Sequence, residues 1–152
     1  MLTGGCSTGV AGTPVAELWD PCTIPSEAIE AAGVHPEVVS DDYIGLDQED
    51  WNICTFRQDW YFLSIQSTLH TYQELLQNPL VTGFADALVG NRQAVTYHRF
   101  DDTTGDDCSL GFEYAQGLIV LNVSATGIEV REAETCPLVQ QIAETLQVEF
   151  PK

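Results

Sequence analysis

Five cysteines and three histidines carry the most specific chemistry in this 152-residue chain. The cysteines stand at positions 6, 22, 54, 108 and 136. None is separated from another by the C-x-x-C interval, and no Cys/His pair has zinc-finger spacing, so a structural zinc site has no pattern to rest on. Thiols spaced this widely, each beside the end of an expected element, have the pattern of disulfide staples in an exported protein. Cys22, Cys54, Cys108 and Cys136 fall where the chain reads as folded, and four cysteines allow three pairings. The sequential pairing, Cys22 with Cys54 and Cys108 with Cys136, closes two loops of about 30 residues, each worth roughly 3–4 kcal/mol of loop entropy. Cys6 is left over, in a run of small residues that cannot pack around it.

The remaining candidates are weaker. Gly5-Cys6-Ser7-Thr8-Gly9 spells the G-x-S-x-G of serine hydrolases, a motif that works only on a sharp strand-to-helix turn beside a histidine. Neither element is expected there. His35, His70 and His98 are scattered, and only His98 with Asp101 and Asp102 could form a dyad. "DDTTGDD", residues 101–107, gathers four carboxylates around one glycine but lacks the ligand order and distal Glu of an EF-hand. A solvated hairpin tip is expected, with a weak surface Ca²⁺ site as the alternative. Asn122-Val123-Ser124 is formally a glycosylation sequon in what reads as a buried strand, so no glycan is expected. No catalytic, cofactor-binding or metal-binding residue is assigned.

Composition narrows the partners. Twenty-three Asp and Glu against 5 Lys and Arg leave a net charge of -18. Such a surface repels nucleic-acid phosphates and anionic headgroups, and suits solubility, a cationic ligand, a divalent ion or a basic protein. No stretch of 18 apolar residues exists to span a membrane. There is no charged n-region with an apolar h-region, so any signal peptide is expected to have preceded Met1.

The elements that must position these residues follow from periodicity. Residues 1–16, rich in Gly, Thr, Ser and Ala, read as a flexible tether, and residues 17–152 as one folded domain. Pro25 and Ser26 open a helix that Gly33 stops. "WNICTFRQDWYFLSIQSTL" reads as two strands around a turn at Gln58–Asp59, with a short edge strand before them near Glu37–Val39. In the second strand, Tyr61, Leu63, Ile65 and Leu69 share one face, and Trp60 and Phe62 the other. "TYQELLQNP" is a short helix ended by Pro79, and "LVTGFADALVGN" a further helical turn. Three strands follow: "RQAVTYHRF", "DCSLGFEYA" and "GLIVLNVSA", the last central and covered on both sides. In "CPLVQQIAETLQVEF" Thr135 is expected to cap a closing helix whose stripe is Leu138, Ile142 and Leu146. The sum is an α+β domain with a mainly antiparallel sheet of about five strands, in the order α-β-β-α-β-β-β-α.

Several landmarks carry a family resemblance. "DPC" before a helix, "NICTF", "GNRQAVTYH", "DDCSLGFEY" and "CPLVQQIAETL" occur in an order and cysteine context that spans residues 18–150. The chain resembles the actinobacterial secreted lipoproteins grouped as domain of unknown function family 3558. That resemblance implies a cell-envelope protein lipidated at an N-terminal cysteine, with no established activity. "LTGGC" supplies the Thr, Gly and Cys of a lipobox, with Leu2 four residues before Cys6 rather than three. Lipidation of Cys6, an extracytoplasmic location and anchoring to the cell membrane are therefore expected. The expected role is a binding or accessory protein for an unidentified envelope protein or ligand, not an enzyme. The alternatives are an envelope hydrolase using unidentified carboxylates and a weak cation-binding protein.

Overall fold

In the computed structural model, which describes residues 18–41 and 50–152, seven strands form one antiparallel sheet in the order β1-β2-β3-β7-β6-β5-β4. The chain enters through a 3₁₀ turn at Pro21–Thr23, capped by the Asp20 carboxylate on the Cys22 N–H at 2.9 Å. Helix α1 (Ser26–Ala31) starts after Pro25 and ends near Gly33, whose φ of 79° only glycine adopts without strain. Edge strand β1 (Val38–Ser40) leads to the hairpin β2 (Trp51–Arg57) and β3 (Tyr61–Thr68). Helix α2 (Tyr72–Leu76) crosses to β4 (Val81–Val89) and β5 (Arg92–Arg99). Hairpin β6 (Asp107–Tyr114) and β7 (Gly117–Ala125) then fills the centre, and α3 (Thr135–Leu146) closes the chain.

The α+β class and the antiparallel sheet agree with the sequence reading; the strand count and the order do not. Residues 81–89 form a strand, not a helical turn. Their period of two is broken by a bulge between Thr82 and Ala85, where Gly83 takes φ 72°, and is legible only from Ala85 to Val89. Gly90-Asn91 then makes the two-residue hairpin turn that pairs Val89 with Arg92. With β1 and β4 counted, five strands become seven.

One face of the sheet carries the main core. Cys54, Phe56, Leu63, Ile65, Cys108, Leu110, Phe112, Leu121 and Val123 meet α1 and α3 there. Strand alternation puts them on that side, and α3 answers with Val139, Ile142, Ala143 and Leu146, all buried. Each large side chain so buried contributes roughly 1.5–3 kcal/mol. Leu138 lies only at the edge of the expected stripe. Trp60 joins this core instead of the opposite face, and Leu69 falls past the strand end and is 41% exposed. Thr135 does not cap α3: it is the first helical residue, and its hydroxyl donates to the Gly105 carbonyl at 2.6 Å.

Both disulfides lie on the core face. Cys22–Cys54 ties the entering 3₁₀ turn to β2, with Cα atoms 5.3 Å apart. Cys108–Cys136 ties β6 to the first turn of α3, with Cα atoms 5.2 Å apart. Among the described residues no helix is long and apolar enough to cross a membrane.

Candidate functional site

The opposite face of the sheet is covered by far less. Alternation assigns it Gln66 and Thr68 of β3, Leu118, Val120, Asn122 and Ser124 of β7, Asp107 and Ser109 of β6, and Tyr97 and Arg99 of β5. Register then sorts them. Asp107 lies opposite Ser124, and Ser109 opposite Asn122, so one end of the face is a polar block. At the other end Leu118 and Val120 join Leu75, Val95 and Tyr97 in a small apolar cluster beneath α2.

Helix α2 has only five residues, and its N-terminal end is held by side chains. Thr71 and Glu74 form a capping box, each side chain bonding the other's N–H at 3.1 Å. The second Glu74 oxygen accepts from His70 Nδ1 at 2.9 Å. The His70 bond, and after it the Thr71 N–H, hold the Glu74 carboxyl below the usual carboxylate range. Leu75 reaches down to the sheet over Gly111, where any Cβ would stand 3.1 Å from its methyl group. Glycine at that point permits the close approach.

Between α2 and the polar block opens a cavity of about 790 Å³, walled by Trp51, His70, Leu75, Tyr97 and Arg99 above a floor that includes Gln66 and Asn122. Its size is within the range of small-molecule sites, which are mostly apolar with a few placed polar groups. The key polar group is Asp107, only 5% exposed. Its Oδ2 accepts from Asn122 Nδ2 at 3.1 Å, while its Oδ1 is buried without any hydrogen-bond partner. Asn122 also donates to the Ser109 hydroxyl oxygen at 2.9 Å. Burial, chiefly, raises the Tyr97 phenol above its ordinary range; a hydrogen bond with Ser109 opposes that, and the Asp107 charge adds to it.

The acidic loop is the expected exposed connection between β5 and β6, and it is ordered by its own hydrogen bonds. Asp102 Oδ1 accepts from the N–H groups of Thr104, Gly105 and Asp106 at 3.3, 3.1 and 3.3 Å, and Oδ2 from Asp107 N–H at 3.3 Å. Burial alone would raise the Asp102 carboxyl, but these donors outweigh it and lower it. Asp101 pairs with Arg99 at 3.6 Å and Asp106 with Arg131 at 3.2 Å. The four carboxylates therefore each have a protein partner, and Asp107 is a wall residue of the cavity, not part of the tip.

The expected dyad is half present: His98 Nδ1 lies 3.4 Å from Asp102 Oδ2 and donates at 2.7 Å to the Asp107 carbonyl. Its Nε2 faces Cys136 Sγ at 3.5 Å. His98, Cys108 and Cys136 are the group of potential ligands that converges within 4.8 Å among the described residues, but both sulfurs are spent in the disulfide. The backbone N–H of His35 donates to the Gln58 side chain at 2.8 Å, and His35 is not among the residues that wall this cavity. Cys6 and the Gly5–Gly9 motif lie outside the described residues.

These landmarks can now be set against known proteins. The sequence profile of a family described as protein of unknown function (DUF3558) matches residues 1–147. The chain belongs to that family. No curated protein and no solved structure matches it. Membership of this family brings no activity with it, so the cavity has to be read from its own residues. Sequence reasoning missed Trp51, Leu75, Tyr97, Asp107 and Asn122 as a group. One signal was legible: Asn122 and Ser124 are polar on every second position of an otherwise apolar strand, which marks one face as only partly covered.

Proposed function

We propose that this protein is an extracytoplasmic, lipid-anchored binding protein of the cell envelope, and that its ligand occupies the sheet-face cavity. The observation that carries the proposal is the cavity itself: about 790 Å³ walled by apolar and aromatic side chains beside a block of polar ones, Asp107, Ser109, Asn122 and Ser124. The two disulfides favour an oxidising compartment, and "LTGGC" at Cys6 favours acylation there. An actinobacterial lipoprotein of the envelope is the fuller form of the proposal.

A hydrolase has one feature in its favour, the His70–Glu74 pair on the cavity wall. Against it, the hydroxyls that the pair touches serve the backbone: Thr71 Oγ1 accepts from the Glu74 N–H at 3.1 Å and Thr68 Oγ1 from the His70 N–H at 3.2 Å, and the His70 ring is bonded to Glu74 rather than to a nucleophile. Weak cation binding at residues 101–107 is disfavoured because the loop's own N–H groups and two arginines already occupy its carboxylates. The test is to extract the protein from its native envelope and identify copurifying small molecules by mass spectrometry, beside a Gln66→Trp variant whose indole fills the cavity. A compound present with the unaltered protein and lost from the folded variant is expected. The same compounds in both samples would sink the proposal.

A further inference from the structure

We infer that the ligand of this cavity is a neutral oligosaccharide, held by side-chain carboxamides and a hydroxyl with its ring faces laid on the aromatic and aliphatic wall. The inference rests on the cavity being the ligand site and adds the chemical class. The polar groups left open decide it. Gln66 on β3, with Asn122 and Ser124 on β7, lies half-buried in the floor. Among the described residues nothing bonds the Gln66 carboxamide, Asn122 Oδ1 or the Ser124 hydroxyl, and none of these groups is closed off from solvent. Gln77 and Asn78 add two further carboxamides where α2 ends. A carboxamide sets donors beside an acceptor, and a sugar hydroxyl both donates and accepts, so the two match in either direction.

The charged groups on the wall do not ask for an ionic ligand. Arg99 pairs with Asp101 at 3.6 Å and His70 with Glu74 at 2.9 Å, so each has its counter-group within the protein. Asp107 Oδ1 is closed to the cavity, and Oδ2 accepts from Asn122. In a chain with 23 Asp and Glu, strands β2, β3 and β7 bring no charged side chain to the cavity. An acyl chain would suit Leu75, Leu118 and Val120 but would bury the carboxamides without partners, which is costly. An extended peptide is recognised through its backbone at a free sheet edge. Here β3, β7 and β6 lie inside the sheet, each with a neighbour on both sides, so recognition falls to side chains. Sugar hydroxyls meet the carboxamides, and the C–H faces of the rings meet Trp51 and the aliphatic floor.

Five neutral probes test this on the full chain: cellotetraose, chitotetraose and mannotetraose, beside acetyl-tetraalanine amide and decanol, each titrated into ¹⁵N-labelled protein. At least one of the sugars should saturably shift the amides of Gln66, Asn122 and Ser124, and bind more tightly than the peptide or the alcohol. Gln66→Leu should weaken that sugar about tenfold, the loss expected of one hydrogen-bonding group, while its spectrum remains that of a folded chain. Should that variant not fold, Ser124→Ala makes the same comparison. Peptide or decanol binding at those amides as tightly as the best sugar, or sugar binding unchanged in the folded variant, overturns the oligosaccharide class and leaves the cavity as a site. If no probe shifts those amides, the cavity reading falls with it.

Discussion

Removing the Cys108–Cys136 bond should cost more stability than any single surface interaction in the protein. The two cysteines are separated by 28 residues. Opening a loop of that length releases about 3.6 kcal/mol of chain entropy to the unfolded state. Cys108 is also fully buried, so Cys108→Ala leaves a small void and adds roughly 1 kcal/mol. A double variant, Cys108→Ala with Cys136→Ala, should therefore lose about 4–5 kcal/mol, a large part of a typical total of about 5–15. For a chain of this size that corresponds to a melting temperature lower by roughly 10–15 °C. Urea unfolding followed by tryptophan fluorescence measures the loss and supplies a second signature. The slope with denaturant should rise, because the unfolded chain without its cross-link expands and exposes more surface. A loss under about 1 kcal/mol with an unchanged slope would refute the reasoning. It would mean that α3 is held at its start by the Thr135–Gly105 bond and the packing of Val139, with the cross-link adding nothing.

Asp102→Ala should lose about 1–3 kcal/mol at pH 7, because four backbone N–H groups of the loop lose their acceptor. The folded carboxyl is lowered, so its contribution is complete above the unfolded value near 4 and disappears as pH falls through the folded one; a series of urea melts from pH 7 downward should show the wild-type advantage in full at pH 7 and shrinking progressively below about pH 4. Gly117→Ala drives a Cβ into the Thr68 backbone carbonyl and should cost about 1–3 kcal/mol or split the β3–β7 pairing, read from thermal melts and amide exchange at Thr68 and Leu118. In the native host the full-length protein should partition into detergent, and Cys6→Ala should appear in the soluble fraction with its melting temperature unchanged. Full-length protein found only in the aqueous phase would argue for plain secretion.

Much of the scaffold was legible before any coordinates. The alternation of Cys108, Leu110, Phe112 and Tyr114 marked the inner face of β6, and all four are buried. The spacing of Ile142 and Leu146 marked the inner face of α3, and the near-continuous apolar run at 118–123 marked the central strand. These succeed because a two- or 3.6-residue period is a local property of the chain: one buried face repeats at the pitch of the element. The same logic failed at residues 81–89, where one bulge at Gly83 shifts the period and leaves too short a run to separate strand from helix. It failed at Thr135 because the group that engages its hydroxyl, Gly105, is 30 residues away.

What the sequence by itself determined is therefore the class of fold, the two faces of its main strands, the acidity of its surface and a set of cysteines fit for cross-links. What only the tertiary structure decided is which residues meet across strands. Asp107 lies opposite Ser124, and Ser109 opposite Asn122, while Trp51 and Tyr97 come to the same cavity from strands that are not neighbours. Taken singly, each has an ordinary place in a strand pattern. Their chemistry arises from register, and register is set by the whole set of long-range pairings rather than by the residues on either side. The orphaned oxygen of Asp107 belongs to the same category, because a carboxylate becomes buried and short of a donor only when remote segments close around it.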